Sequence, residues 1–174
     1  MMLLLVFSMG SSGSWLADAR DAFFQFGESK CRSEKLYDYL IGVQTTDTAL
    51  YLAYKGMSRA SSADCSFNPS TKLNRFRQGR NWLEEAIKMN PDHPEIRLMR
   101  LSVQLNAPFF LDYSANIADD RNQLIELLVN DPGAFKDDDY TLKVLNFVEQ
   151  SARPTDAEMK QIKGLINYLQ KNGK

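Results

Sequence analysis

Apolar residues recur three and four positions apart along almost the whole chain, and this spacing constrains the fold more than any other feature of the sequence. It is typical of amphipathic α-helices, whereas half-buried strands carry apolar residues at every second position. The clearest example is the stretch 71–89, whose apolar face is formed by Leu73, Phe76, Leu83, Ala86 and Ile87. No alternating pattern of useful length is present, so the sequence predicts an all-α fold.

The same spacing predicts about eight helices. Their expected ranges are 16–26, 34–41, 47–60, 71–89, 95–105, 116–130, 138–150 and 155–171. Thr155 and Glu158 stand three residues apart, as in a capping box, where two side chains satisfy amides at a helix start, and Asp92 and Glu95 have the same spacing. With 174 residues the chain is long enough for one hydrophobic core and short for two. The sequence therefore predicts a single helical domain over 20–174.

Small and large residues precede Pro91 in a fixed order. Gly79, Leu83 and Ala86 lie twelve, eight and five residues before this proline. Small residues allow two antiparallel helices to approach, a large residue fills the groove between them, and proline stops the helix. In this order the stretch resembles the second helix of a tetratricopeptide repeat, and residues 52–56 are similar to a degenerate first helix of the same repeat.

A weaker form of the pattern precedes Pro132. Leu124 and Leu127 lie at matching offsets, and Asp120 stands where the repeat has a small residue. The resemblance to tetratricopeptide repeats, over about 47–133, implies antiparallel helical hairpins stacked as a short array. It also implies a module that binds a protein or a peptide.

The first 19 residues bear on the compartment. Residues 1–7 are apolar and 8–14 are mostly small, which resembles the hydrophobic region and cleavage region of a secretory signal peptide. No Lys or Arg precedes the apolar run, so the alternative for 1–19 is the start of the first helix. The run is too short to span a bilayer. The chain also resembles small exported bacterial proteins, and we hypothesise a periplasmic or envelope location, with the cytoplasm as the alternative.

Two cysteines, Cys31 and Cys65, bear on the same question. In an exported protein they would pair, and a disulfide closing a loop of this length stabilises by about 3–4 kcal/mol. In the cytoplasm they would remain free thiols. Neither has a second Cys or a His at the spacing of zinc ligands, so no zinc site is predicted.

Charge and motif content argue against several functions. The chain has 21 basic and 22 acidic side chains and no block of like charge, which argues against binding to nucleic acid or to an anionic membrane. The single histidine, His93, lies in a helix-start turn with no nucleophile motif beside it. The run 137–139 lacks the ligand spacing of a calcium loop. No catalytic residue, metal or cofactor is therefore predicted.

Two long connections depart from the tight turns of tetratricopeptide hairpins. They are residues 61–70 and 106–114, and in a stacked array they would lie side by side. Their aromatic residues are Phe67, Phe109, Phe110 and Tyr113. These side chains either cover the apolar edge of the array or border a surface that binds a partner.

The predicted helix 95–105 is apolar almost all round and is therefore expected to be central. Its polar stripe consists of Arg97, Arg100 and Gln104, spaced three and four residues apart. In tetratricopeptide-like domains such side chains often bind the backbone or carboxylate of a peptide. The alternative is that both arginines neutralise buried acidic groups, for which the candidates are Glu84, Glu85 and Glu95.

Two further expectations concern surfaces. Arg121 is predicted to form an ion pair on a helix surface with Asp119 and Asp120. The last helix has an apolar stripe that either seals one edge of the stack or supports a homodimer. Its residues are Met159, Ile162, Leu165, Ile166 and Leu169.

The sequence thus predicts a non-enzymatic binding module or scaffold for a protein or a peptide in the cell envelope. The alternative is a small-molecule binder or an enzyme. Its pocket would lie between the connections 61–70 and 106–114 and the helix 95–105, and a deep cavity there would favour this alternative.

Overall fold

The computed structural model describes residues 14–28 and 31–172, and within them eight α-helices form the fold. Their bounds are α1 Ser14–Phe24, α2 Arg32–Ile41, α3 Thr48–Ser61, α4 Pro69–Met89, α5 Pro94–Asn106, α6 Ile117–Asn130, α7 Asp138–Ser151 and α8 Asp156–Asn172. No strand occurs in these described ranges. The predicted all-α fold with eight helices is confirmed.

Short 3-10 helices interrupt both long connections. One spans Ser62–Cys65 between α3 and α4, and the other spans Phe109–Leu111 between α5 and α6. We call residues 62–68 the first connection and residues 107–116 the second connection.

Side-chain caps fix the start of several helices, since the first amides of a helix have no partner within it. The carboxylate of Asp47 accepts a hydrogen bond from the amide of Leu50 at 3.2 Å. The predicted capping box of α8 is confirmed. The amide of Thr155 donates to the Glu158 carboxylate at 2.6 Å, and the amide of Glu158 donates to the Thr155 hydroxyl at 3.3 Å.

The second predicted capping box, Asp92 with Glu95, is wrong. His93 caps α5 instead, because its Nδ1 accepts a hydrogen bond from the amide of Glu95 at 3.2 Å. The Glu95 carboxylate is buried and binds Arg20 of α1. A long-range ion pair has therefore displaced a local cap.

Helices α3 and α4 form an antiparallel hairpin. The Lys55 ammonium lies 4.7 Å from the Trp82 ring centroid, and Arg59 donates to Gln78 at 2.8 Å. Nearer the first connection, Arg75 donates to the carbonyl oxygen of Ser62 at 2.9 Å. The residue numbers of the contacts increase along α3 while they decrease along α4, so the two helices run in opposite directions.

Helix α1 contacts elements that are distant in sequence. Its Trp15 ring packs edge-on against Tyr54 of α3 with centroids 6.0 Å apart, and its Phe23 ring packs against Phe147 of α7 at 5.9 Å. Residues 14–19 of the segment 1–19 thus belong to α1. Residues 1–13, which carry the signal-peptide hypothesis, lie outside the described residues.

The core is one continuous cluster of buried apolar side chains that extends from Trp15 to Leu169. Helix α5 is its centre, since all residues from Pro94 to Gln104 are buried. The apolar stripe of α8 faces inward, with Ile162, Leu165 and Leu169 buried. Across residues 14–28 and 31–172, none of the helices combines the length and apolar character needed to cross a membrane.

Candidate functional site

The predicted arginine stripe of α5 is buried in an ion-pair network. Both arginines bind Asp120, a fully buried residue of α6. Arg97 Nη1 donates to Asp120 Oδ1 at 2.8 Å, while Arg100 donates through Nε to Oδ2 at 2.7 Å and through Nη2 to Oδ1 at 2.6 Å. Burial alone would lower the pKa of Arg100, but the hydrogen bonds and charge of Asp120, with the charge of Glu84, raise it.

Glu84 extends this network toward the second connection. One carboxylate oxygen accepts from Arg100 at 3.0 Å, and the other accepts from the Tyr113 hydroxyl at 2.7 Å. Burial and the bound Glu84 raise the pKa of Tyr113. Tyr113 also packs edge-on against Phe76, with centroids 5.8 Å apart, so it is a buried anchor of the second connection. Among the aromatic residues predicted to border a partner surface, Tyr113 is not exposed.

Two expectations about ion pairs need correction. Among the described residues, the acidic partners of Arg97 and Arg100 are Asp120, Glu84 and, at 3.8 Å from Arg97, Asp119, and neither Glu85 nor Glu95 is among them. The predicted surface ion pair of Arg121 is wrong, because Arg121 is buried and donates to Glu158 of α8 at 2.9 Å. Sequence proximity favoured the neighbouring aspartates, but residues adjacent on a helix do not face each other.

Gln104 completes the stripe and is also buried. Within the described residues, neither its side-chain nitrogen nor its side-chain oxygen has a hydrogen-bond partner. The structure therefore brings Arg97, Arg100 and Gln104 together in the interior. Binding of a peptide carboxylate by these side chains would need an accessible surface that they do not form.

The other three predicted aromatic residues are exposed. Phe67 in the first connection is 90% exposed, and in the second connection Phe109 is 90% exposed and Phe110 is 72% exposed. The rings of Phe109 and Phe110 pack edge-on with centroids 6.1 Å apart. Exposed phenylalanines at these fractions are unusual, since aromatic side chains dominate cores and interfaces.

The two connections border a common cavity of about 950 Å³, which we call the connection cavity. It lies where the sequence placed a pocket, between both connections and α5. Its walls include residues of α1, α4, α5 and α7 as well as both connections. Volume and apolar character are in the range of small-molecule sites, which run from about 300 to 1,000 Å³.

Phenylalanine is the most frequent residue in the walls of the connection cavity. Six phenylalanines contribute, and they are Phe23, Phe24, Phe26, Phe76, Phe110 and Phe147. Only Phe110 was a predicted site residue, and the sequence did not indicate that the other five, Phe23, Phe24, Phe26, Phe76 and Phe147, line a site. The available signal was the density of phenylalanine between 23 and 26, which alone gives no indication of what the rings face.

Few polar groups reach this cavity. The charged residues among its walls are Asp64 and Lys72, whose carboxylate oxygen and ammonium nitrogen lie 3.9 Å apart. The amide nitrogen of Asn106 donates to the Ser102 carbonyl at 2.8 Å, and the Ser102 hydroxyl donates to the Met99 carbonyl at 2.8 Å. These two polar side chains thus satisfy backbone groups rather than point to a ligand.

Cys31 and Cys65 form a disulfide on the same wall, with Cα atoms 5.4 Å apart. The disulfide joins the start of α2 to the first connection. The Glu34 carboxylate lies close enough to both sulfur atoms to complete a three-ligand metal cluster. In this structure the sulfurs are bonded to each other and Glu34 binds Arg75 at 2.6 Å, so all three ligand groups are already engaged.

A second buried polar cluster joins four helices and was not predicted from the sequence. The Glu95 carboxylate accepts hydrogen bonds from Arg20 Nε at 2.8 Å, from Arg20 Nη2 at 2.6 Å and from the Tyr54 hydroxyl. The Tyr54 and Tyr140 hydroxyls are 3.2 Å apart, and the Arg20 guanidinium lies 4.2 Å from the Tyr140 ring centroid.

Electrostatics in this cluster favour a charged arginine and neutral phenols. Burial alone would lower the pKa of Arg20, but the hydrogen bonds and charge of Glu95 raise it. Burial, together with the charge of Glu95, raises the pKa of Tyr54 and of Tyr140. The cluster borders a small cleft of about 320 Å³ between α1 and α7. Its members are paired with one another, which is typical of a structural network.

Comparison with protein-family models, with curated proteins and with solved structures gave no match. The resemblance to tetratricopeptide repeats and to exported proteins stays a prediction.

Proposed function

We propose that this protein is a binding protein that takes an apolar small molecule into the connection cavity. The observation that carries this proposal is a cavity of about 950 Å³ with six phenylalanines among its walls. Apolar surface removed from water contributes about 25 cal/mol per Å², so a ligand that buries roughly 300 Å² of apolar surface would gain about 7.5 kcal/mol of binding free energy. Association costs reduce this gain.

Binding rather than catalysis is supported by the chemistry of the walls. A general acid–base site needs titratable groups that converge on one point of the substrate. Among the described residues that line this cavity, the charged side chains are Asp64 and Lys72. The Asp64 side chain is 98% exposed, so it faces water rather than the cavity interior.

A second candidate function is binding of a protein or a peptide, which the resemblance to tetratricopeptide repeats implies. The adjacent exposed rings of Phe109 and Phe110 favour it. Phe110 also lines the connection cavity, so an apolar side chain of a partner would meet the ring at the cavity opening. Aromatic residues of this kind are frequent in the centres of interfaces.

We also propose an oxidising compartment such as the periplasm or the envelope. The support is the Cys31–Cys65 disulfide, because structural disulfides persist in exported proteins and are rare in the cytoplasm.

The proposed function is tested by filling the cavity. Ala107 lines it and is half-buried, so Ala107→Trp should occupy part of its volume. Ala134 is half-buried in the turn before α7 and does not line the cavity, which makes Ala134→Trp the matched control. We expect the wild type to bind Nile red in a fluorescence titration, with binding weakened by Ala107→Trp and retained by Ala134→Trp.

Failure of the folded wild type to bind apolar dyes would overturn the proposal. Phe109→Ser separates the second candidate, because Phe109 is exposed and lies outside the cavity walls. Peptide binding that this variant abolishes, with dye binding unchanged, would assign a partner surface in addition to the cavity.

A further inference from the structure

We infer that the ligand of the connection cavity is a single-chain carboxylic acid, with its hydrocarbon chain among the phenylalanines and its carboxylate on Lys72. This inference rests on the proposed function and names the ligand class. It follows from the position of one cation on a wall rich in phenylalanine.

Lys72 is the cation that lines the cavity in the described part of the chain. Its side chain is 44% exposed, whereas the side chain of its partner Asp64 is 98% exposed. The Lys72 side chain is therefore the less exposed of the two, and its ammonium nitrogen lies 3.9 Å from the Asp64 carboxylate oxygen, beyond the length of a charge-assisted hydrogen bond. So loose and exposed a pair contributes little, and a ligand carboxylate can replace Asp64 at small cost.

The neighbouring cation, Arg75, already has strong partners within the protein, so Lys72 is the cation that can bind the ligand. Arg75, one turn further along α4, binds Glu34 at 2.6 Å and the Ser62 carbonyl at 2.9 Å. Arg75 thus holds the first connection and α2 in place. The Lys72 ammonium has the weaker partner, and its flexible stem allows it to follow a ligand head group.

The start of α4 adds to the positive potential at this wall. Pro69 begins the helix and lines the cavity, and the first turn of α4 contains no acidic residue. The N-terminus of a helix carries a positive partial charge. The amides of Ser70 and Thr71 already donate to Asn68, so the helix end contributes potential while Lys72 provides the contact.

The remaining polar groups are few for a more polar ligand. A sugar or a nucleotide needs several free donors and acceptors along the wall, but the Ser102 hydroxyl and the Asn106 amide are bound to backbone carbonyls. Among the described residues of the wall, the other uncharged polar side chains that carry a hydroxyl are Ser33 and Ser61. A cationic amphiphile would have to meet Asp64, whose side chain is surrounded by water. An apolar chain with one anionic end fits both observations.

The test compares dodecanoic acid with its methyl ester, which has the same chain and no charge. Displacement of Nile red gives the affinity of each for the full chain. We expect the acid to bind about tenfold more tightly than the ester, the factor typical of one charge-assisted contact. Lys72→Met keeps the apolar stem and should reduce the affinity for the acid to that for the ester, with the ester unchanged.

Lys88→Met is the control, because Lys88 is exposed near the other end of α4 and outside the cavity walls. Equal affinities for acid and ester, or tighter binding of dodecyltrimethylammonium, would overturn this inference and leave the proposed function intact. If the wild type binds neither the dye nor the ester, both this inference and the proposed function would be overturned.

Discussion

Gly56 of α3 and Gly79 of α4 lie so close together that neither position has room for a side-chain carbon. A Cβ atom placed on Gly79 would stand 2.4 Å from the Gly56 carbonyl oxygen and 2.4 Å from the Ala60 amide nitrogen. Placed on Gly56, it would stand 2.8 Å from the Gly79 carbonyl oxygen and 3.0 Å from Leu83. Because most of these neighbours are backbone atoms, only separation of the two helices would relieve the clash.

Substitution Gly79→Ala should therefore destabilise the protein although alanine is the better helix former. Overpacking of this kind costs about 1–3 kcal/mol or more, which exceeds the gain of about 1 kcal/mol in helix propensity. We expect a lower midpoint of urea unfolding. Gly164→Ala is the control, since a Cβ atom there meets nothing within 4 Å, and it should raise stability by up to about 1 kcal/mol. Equal effects at both positions would refute the close approach.

Removing the charge of the buried Asp120 carboxylate should lower the free energy of unfolding far more than removing the charge of Asp119. Asp120→Asn leaves Arg97 and Arg100 buried without their shared anion, and breaking such a pair costs about 3–5 kcal/mol. Asp119, whose side chain is 59% exposed, lies 3.8 Å from Arg97, so Asp119→Asn should change stability by less than about 0.5 kcal/mol. Chemical unfolding measures the stability of both variants. Comparable losses of stability for Asp120→Asn and Asp119→Asn would contradict the buried network.

Removal of the disulfide should weaken the whole domain. Cys31 and Cys65 are 34 residues apart, and a loop of this length corresponds to about 3–4 kcal/mol of stabilisation by chain entropy. We expect Cys31→Ser/Cys65→Ser to unfold at lower urea concentration. Dithiothreitol should shift the wild type in the same direction and leave the double variant unchanged. Titration of two free thiols in the unfolded, unreduced wild type would contradict the pairing.

The Arg121–Glu158 pair should give stability a specific pH dependence. Burial alone would raise the pKa of Glu158, but hydrogen bonds from Arg121 and Thr155 lower it below the ordinary value of 4.5. A group with a lowered pKa in the folded state stabilises fully above its unfolded pKa, and this stabilisation is lost as the pH falls through the folded pKa. Glu158→Gln should therefore cost about 2–3 kcal/mol at pH 7.

That difference between the wild type and Glu158→Gln should shrink as the pH falls below 4.5. Urea unfolding from pH 7 down to pH 3 measures it. Glu126→Gln is the control, because Glu126 is exposed and its partner is the neutral Asn122. A difference that stays constant down to pH 3 would be inconsistent with a lowered pKa of Glu158.

The helices could be predicted because their signals are local. Apolar spacing and caps placed every helix boundary within two residues of the structure, as for the predicted range 138–150 and the observed Asp138–Ser151. The capping box of Thr155 and Glu158 needs only a separation of three residues. Such features depend on residues that are close in the sequence, so they can be predicted without the tertiary contacts.

The polar networks and the cavity could not be predicted in the same way, because the fold decides the partners. Glu95 has the spacing of a capping-box residue, but its carboxylate accepts a hydrogen bond from Arg20, which is 75 residues away in the sequence. The alternative hypothesis from the sequence was a pocket between the two connections and the helix 95–105, and the connection cavity borders these elements. The sequence did not reveal that α1 and Phe147 complete the walls.

Helix α1 also decides when the chain can finish folding. In a repeat array each unit contacts its neighbours, so folding can begin anywhere and proceed along the chain. In this protein the Phe23 ring of α1 packs against Phe147 of α7. Arg20 of α1 donates a hydrogen bond to the carbonyl oxygen of Phe135, which is 115 positions away in the sequence. The first helix therefore finds these partners only when the chain as far as α7 is free to fold. Until then the phenylalanines of α1 lack part of their packing surface, and apolar surface exposed in this way makes a partly folded chain prone to aggregation.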